Sequence, residues 1–141
     1  MDLPYSELAH LFLNIRSTIK LYHWQTRSYA RHKATDKFLE TFEPLVDRFV
    51  EAAQGVAGAE RVGSWCDLSV NQQKTIHTAM RGPAGAGTAI DWSPDDNTAS
   101  AFLTKFRNHI EQLEFLFPEL AQIRDDMLEI CDITLYLFTL D

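Results

Sequence analysis

Residues 21–55, LYHWQTRSYARHKATDKFLETFEPLVDRFVEAAQG, contain the end of one predicted helix, a short polar turn and the whole of a second helix. In the second helix, apolar side chains recur at spacings of four, three and four residues, the pattern of a helix face packed into a core: Phe38, Phe42, Leu45 and Phe49. Ser28 is a suitable amino-terminal cap, and Gly55 can end the helix. This stretch therefore predicts a helical hairpin with an aromatic core face.

The opposite face of the second helix carries histidine and carboxylate side chains. His32, Asp36, Asp47 and Glu51 fall within an arc of about 100° when each residue turns the helix by about 100°. A plain solvated face would have the same pattern. Because a helix rises about 1.5 Å per residue, His32 and Asp47 lie more than about 20 Å apart along the axis. These two side chains cannot bind one metal ion within a single chain.

The four positions are nevertheless related by a two-fold symmetry. The pair His32 and Glu51 and the pair Asp36 and Asp47 share a midpoint between residues 41 and 42. A second copy of the helix, antiparallel across a two-fold axis at that midpoint, would bring His32 opposite Glu51 and Asp36 opposite Asp47. We therefore predict an isologous helix contact that holds two metal sites. The alternative is a polar dimer seam with no metal.

Apolar residues also flank this polar stripe. Leu39, Val46 and Val50 lie off the core face in the helical projection, and a purely solvated face would not require them. We expect them to be buried against the second subunit.

Length and composition restrict the class of protein. A chain of 141 residues predicts one domain, residues 1–141, and 45% apolar with 23% charged residues is ordinary for a globular protein. The net charge of −7, without a lysine-rich tail, argues against direct binding of nucleic acid. No apolar run is long enough for a membrane span and no signal peptide is evident, so we expect a soluble, cytoplasmic protein. Cys66 and Cys131 predict reduced thiols, with Cys131 in the core.

Periodicity outside the central segment predicts three more helices. Helix A should run from about Pro4 to about Gln25, and helix C should begin at Ser93 and Pro94 and continue to about Phe117. Pro118 should then begin helix D. Between residues 56 and 94 the pattern weakens, with at most one short helix, and so long a connection favours a crossover between helices that run in the same direction. The predicted fold is an all-α four-helix bundle with a long crossover from B to C.

Three other histidine features have two interpretations each. His23, at the carboxyl end of helix A, is either a cap of the helix carbonyls or a metal ligand. Glu7 and His10 have the spacing of a Glu-x-x-His metal motif, but the projection points the pair away from the core. His77 and His109 are expected to be surface histidines.

The order His23-Trp24, His32, Asp36, Asp47 and Glu51 resembles the ferroxidase signature of the Dps family, the mini-ferritins that protect DNA during starvation. The resemblance covers about a quarter of the chain and implies a ferritin-like four-helix bundle. It also implies a site between two subunits, with the histidines and Asp36 from one chain and Asp47 and Glu51 from the other. A homo-oligomer, up to a twelve-subunit cage, would follow.

The resemblance implies binding and oxidation of Fe(II) by hydrogen peroxide or dioxygen, followed by iron storage and protection from oxidative stress. His23, His32, Asp36, Asp47 and Glu51 would bind iron, with zinc or manganese as substitutes. Glu51 would bridge two irons, and Trp24 would take up a stray electron or serve only in packing. The chain departs from the family in its shorter turn without glycine between His23 and His32, and in lacking a basic tail.

Two other function classes compete with this interpretation. The first is a non-enzymatic ferritin-like assembly protein in which the stripe is a polar dimer seam without a catalytic metal. The second is a di-metal enzyme with its site inside one bundle, which would need inward-facing Glu-x-x-His pairs. A DNA-binding structural protein ranks last because of the negative charge.

Overall fold

The computed structural model describes residues 5–56 and 92–141, which form four helices and no strand. We number them α1 (Tyr5–Gln25), α2 (Tyr29–Val56), α3 (Ala99–Glu111) and α4 (Pro118–Phe138). The predicted all-α class is therefore confirmed. The short helix expected between residues 56 and 94, and with it Cys66 and His77, lies outside the described residues. Within the described ranges, no helix has the length and apolarity needed to cross a membrane.

Local signals place the start of α2 and α4 where the sequence predicts them. The backbone N–H of Arg31 donates to Ser28 Oγ over 3.1 Å, so Ser28 caps α2. Pro118 occupies the first turn of α4, where its missing N–H costs no helical hydrogen bond. Both signals act within three residues of the helix end, which is why they can be identified from sequence.

The bounds of α3 differ from those predicted. Asp95 Oδ1 accepts the backbone N–H of Asn97 at 2.8 Å and of Thr98 at 3.0 Å, so a turn precedes the helix. At the other end α3 stops at Glu111 instead of continuing to Phe117. There the Arg124 guanidinium, from α4, donates to the carbonyl oxygens of Ile110 and Leu113 at 3.0 and 2.6 Å.

A cluster of four phenylalanines joins α1, α2 and α3. Phe12 of α1 packs edge-to-face on Phe42 and Phe49 of α2, with ring centroids 6.2 and 5.1 Å apart. Phe106 of α3 meets Phe12 at 6.3 Å and Phe42 at 5.8 Å. All four side chains are buried, and such edge-to-face pairs add to the stabilisation from burial. The predicted core face of α2 is therefore correct.

Contacts between the helices define their directions. Near the start of α2, Arg31 Nη1 donates to the backbone carbonyl of Asp96, just before α3, over 3.1 Å. Further along both helices, Phe42 meets Phe106, so α2 and α3 run in the same direction. The Arg31 guanidinium also lies 4.7 Å from the ring of Phe138, at the end of α4, whereas Arg48 pairs with Asp126 at 3.8 Å. Helix α4 is therefore antiparallel to α2, whereas α3 is parallel to it.

The apolar residues that flank the polar stripe of α2 pack against the core of their own chain, although the sequence predicted them at a subunit contact. Leu39 and Val46 are only 7% and 5% exposed in the single chain, and Val50 is partly buried against the same core. The helix packs against both α1 and α4, so its buried arc is wider than one stripe. The expectation that a second subunit buries Leu39 and Val46 is therefore wrong.

Cys131 is fully buried and unpaired within the described residues, as predicted. Burial raises the pKa of its thiol well above the usual range, so the side chain stays protonated and acts as a small apolar group.

Replacing Leu39 with alanine should lower the free energy of unfolding by about 2–5 kcal/mol, the usual cost of truncating a buried leucine. Because the chain's own core buries Leu39, the loss should be the same at every protein concentration. Urea unfolding followed by circular dichroism measures it. Leu116→Ala, at a position 93% exposed, serves as control and should change stability by less than about 0.5 kcal/mol. A loss that depends on protein concentration would instead place Leu39 in a subunit contact.

Candidate metal half-site at the junction of α1 and α2

The short turn between α1 and α2 brings two histidines into contact. His23 lies in the last turn of α1 and His32 in the first turns of α2, and their imidazole rings stack with centroids 3.9 Å apart and planes 18° from parallel. His23 is buried and His32 is exposed. The pair therefore extends from the core to the surface at one end of the hairpin.

Hydrogen bonds fix which nitrogen of each ring carries the proton. His32 Nδ1 lies 2.9 Å from the backbone carbonyl oxygen of His23, which can only accept, so His32 Nδ1 donates. His23 Nδ1 lies 2.8 Å from Thr35 Oγ1. Thr35 Oγ1 also lies 2.8 and 3.1 Å from the carbonyl oxygens of Arg31 and His32, which can only accept. When the Thr35 proton goes to either carbonyl, His23 Nδ1 is the donor. With the protons placed in this way, both neutral rings keep Nε2 unprotonated.

The interpretation of His23 as a cap of the α1 carbonyls is wrong. Its ring bonds to a side chain of α2, and the terminal carbonyl of Tyr22 is instead bonded by the N–H of Thr26 at 2.8 Å. Burial, followed by the neighbouring His32, lowers the pKa of His23. The neutral imidazole with a free Nε2 is the form that binds a metal ion, and its other nitrogen commonly bonds to a nearby oxygen.

The carboxylates predicted as ligands lie along the outer face of α2. Asp36 is half-buried one turn after His32 and close enough to raise the pKa of His23, though less than burial lowers it. Asp47 and Glu51 are exposed, further along the same uninterrupted helix. Within residues 5–56 and 92–141, no three His, Cys, Asp or Glu side chains of one chain come together to hold a metal ion. The described residues of one chain therefore bring together two histidines but no complete metal site.

Trp24, next to this pair, is 65% exposed, and Lys20 Nζ lies 5.5 Å from the centre of its ring. It contributes little to the core.

Two histidine features differ from the sequence expectation. Glu7 is only 7% exposed, whereas the projection placed it away from the core, and His10 is half-buried. His109 was expected at the surface, but its Nε2 is buried and has no hydrogen-bond partner among the described residues. Burial lowers the pKa of His109. Neither feature adjoins the stacked histidines.

A carboxylate from outside the hairpin holds the turn in place. Asp96 Oδ1 accepts the hydroxyl protons of Tyr22 at 2.8 Å and Thr26 at 2.5 Å, and Oδ2 accepts the backbone N–H of Arg27 at 3.3 Å. Arg31 Nε pairs with Asp141 at 3.0 Å on the same side. Sequence reasoning missed Asp96 because it is separated from its partners by about seventy residues and no local pattern marks it.

Comparison with known proteins adds one match. A family of unknown function (DUF5856) matches residues 23–83, less than half of the chain. The matched range includes both stacked histidines and the whole acidic face of α2. No curated protein and no solved structure matches.

Asp96→Asn should weaken the turn, because the neutral amide accepts these bonds less strongly than the carboxylate. The hydrogen bonds from Thr26 and Tyr22 hold the pKa of Asp96 below its ordinary value of 3.8. Since the unfolded chain takes up the proton at higher pH, this stabilisation is present above pH 3.8 and lost as pH falls through the lower folded value. Urea unfolding at pH 6 and pH 3 should show a smaller pH effect in Asp96→Asn than in wild type.

Glu129→Gln is the control for this comparison, because Glu129 is an exposed carboxylate on α4. If stability depended on pH in Asp96→Asn as it does in wild type, the Asp96 carboxylate would not be among the interactions that stabilise the turn.

Proposed function

We propose that the protein is a Dps-like mini-ferritin that binds and oxidises Fe(II) at sites shared between two subunits. The observation that carries this proposal is the stacked pair His23 and His32, in which both Nδ1 atoms bond to oxygen and both Nε2 atoms remain available. Each site would combine this pair and Asp36 with Asp47 and Glu51 of a second copy.

The donor set suits iron. Imidazole nitrogen and carboxylate oxygen, with no thiolate, bind Fe(II), and carboxylates also tolerate the Fe(III) product. Two Fe(II) ions would each give one electron to hydrogen peroxide, which with two protons becomes two water molecules. With dioxygen as oxidant, the same two electrons and two protons yield hydrogen peroxide. The residues of the chain would hold the two ions together, so that no one-electron product is released.

The order and direction of the helices also support the proposal. A long connection between parallel second and third helices is the arrangement of ferritin-like bundles with one crossover. The parallel α2 and α3 have this relation, with α4 antiparallel to α2. The proposed fold is accordingly ferritin-like, and the proposed assembly is a homo-oligomer built on the contact between two copies of α2.

The charge on the outer face of α2 favours a metal over a bare polar seam. Five acids occupy an arc of about 80° on this face: Asp36, Glu40, Glu43, Asp47 and Glu51. All are exposed except the half-buried Asp36, and Glu43 pairs with Arg16 at 3.1 Å. A second copy laid antiparallel would set acids against acids, which is repulsive unless cations lie between them. In the rival, a seam without metal, only basic side chains such as Arg16 and Lys33 would offset this repulsion.

Exposed apolar side chains on α1 could form the apolar part of the proposed subunit contact, since Leu39 and Val46 are buried within the chain. Leu13 and Trp24 project from the outer side of α1, and both are about half or more exposed. The ion pair between Arg16 and Glu43 places this side of α1 next to the acidic face of α2. Large apolar and aromatic side chains of this kind are typical of subunit contacts.

Metal binding and dimer formation should therefore be one coupled equilibrium. Anaerobic Fe(II), at about 100 times its dissociation constant, should lower the dissociation constant of the dimer by about 100-fold for each site. Sedimentation velocity over a range of protein concentrations, with and without Fe(II), measures the effect. His32→Ala and Glu51→Ala should each abolish the effect.

The control for this experiment is Glu119→Ala, which removes an exposed acid of α4 and should leave the coupling intact. Dimer formation indifferent to Fe(II) would favour the seam without metal, and metal binding by a persistent monomer would exclude a shared site.

Mixing two inactive variants tests whether the site is shared. Asp47→Ala and His32→Ala should each abolish rapid Fe(II) oxidation while leaving helix content unchanged. After subunit exchange, half of the dimers should be mixed, and each mixed dimer has one of its two sites built from intact halves. The oxidation rate, followed by the absorbance of Fe(III), should recover to about one quarter of wild type. No recovery after verified exchange would contradict an intersubunit site.

A further inference from the structure

We infer that Thr35 is a positioning residue, whose hydroxyl holds His23 with Nδ1 protonated and Nε2 free to bind a metal ion. The inference rests on the proposed function for its metal-binding consequence, but the orientation of His23 can be measured without metal. Thr35 is fully buried on α2 and contacts the imidazole from α1, so the two helices are joined by this hydrogen bond.

The Thr35 hydroxyl has only one proton, and two backbone carbonyl oxygens lie close enough to accept it. Thr35 Oγ1 lies 2.8 Å from the Arg31 carbonyl oxygen and 3.1 Å from that of His32. Both are acceptors, so when the proton goes to either of them the hydroxyl oxygen accepts from His23 Nδ1. A buried imidazole without this acceptor would be free to place its proton on either nitrogen. The threonine hydroxyl therefore selects the tautomer.

The ordinary role of a buried helical threonine is to return its hydroxyl proton to the carbonyl four residues earlier. Thr134 on α4 does this, with its Oγ1 2.8 Å from the Ile130 carbonyl oxygen and 1% of its surface exposed. It has the burial and backbone bond of Thr35 but, among residues 5–56 and 92–141, no hydrogen bond to a histidine. Thr134→Val is thus a matched control for the loss of a buried hydroxyl.

Thr35→Val removes the hydroxyl at nearly constant volume, and Thr35→Ser retains it. The first measurement is made on the metal-free protein above pH 8, where imidazole is neutral, by long-range nitrogen-15 NMR of the histidine rings. Signals of His23 are assigned from His23→Ala. In wild type, Thr35→Ser and Thr134→Val, His23 should carry its proton on Nδ1, whereas Thr35→Val should give a mixture of tautomers. His32 should stay protonated on Nδ1 throughout, because a backbone carbonyl holds it.

The second measurement is the affinity for Co(II), by calorimetry. Loss of a side chain that orients a metal-binding histidine typically weakens metal binding about 10- to 100-fold, and Thr35→Val should fall in that range. Thr35→Ser and Thr134→Val should bind as wild type does. Circular dichroism confirms that each variant is folded, and Thr35→Ala gives the same two readouts should Thr35→Val fail to fold.

An unchanged His23 tautomer in Thr35→Val overturns the inference, as does a changed tautomer with unchanged Co(II) affinity. If the wild type binds no Co(II) while the tautomer depends on the Thr35 hydroxyl, the proposed metal function fails but the hydroxyl's control of the His23 tautomer stands. The two failures are therefore distinguishable.

Discussion

The attachment of the end of α1 to the start of α2 is the constraint on which the candidate site depends. The turn between them has three residues, and contacts from elsewhere in the fold hold it in place. The Asp96 carboxylate binds the end of α1 and the turn through Tyr22, Thr26 and Arg27. Its backbone carbonyl accepts from Arg31 of α2. The buried Tyr22 ring also meets Phe138 at 6.2 Å, so α4 supports the same junction. The stacked histidines are therefore positioned by the whole bundle.

Much of the fold could be predicted because its signals are local. The spacing of Phe38, Phe42 and Phe49 identifies the core face of α2, and Ser28 identifies its start, within a few residues of chain. The end of α3 could not be predicted in this way. Its periodic pattern continues to Phe117, but the helix stops where Arg124 of another helix donates to its last carbonyls, those of Ile110 and Glu111. Which helix supplies such a partner depends on tertiary packing.

The site was predictable only in part, for a related reason. The polar stripe of α2 follows from helical geometry, whereas the role of His23 depends on Thr35, which no spacing rule connects to it. A histidine at a helix end is equally consistent with a cap. Leu39 and Val46 were misplaced because a projection shows directions around one helix but not how many neighbours it has. Whether these residues face a second subunit depends on how many helices of the same chain pack against α2, which the sequence does not show.

The division of the proposed site between subunits has a thermodynamic consequence. The acidic face of α2 opposes self-association, and the two-histidine half-site alone supplies too few ligands for a tightly held iron. In the proposed dimer the metal would neutralise the acids that repel each other, and the second subunit would supply the ligands that one chain lacks. The coupling is reciprocal, so whatever factor the metal contributes to dimer affinity, the dimer contributes to metal affinity. Positioning of His23 by Thr35 would then strengthen assembly as well as metal binding, although Thr35 is buried in the core of its own chain.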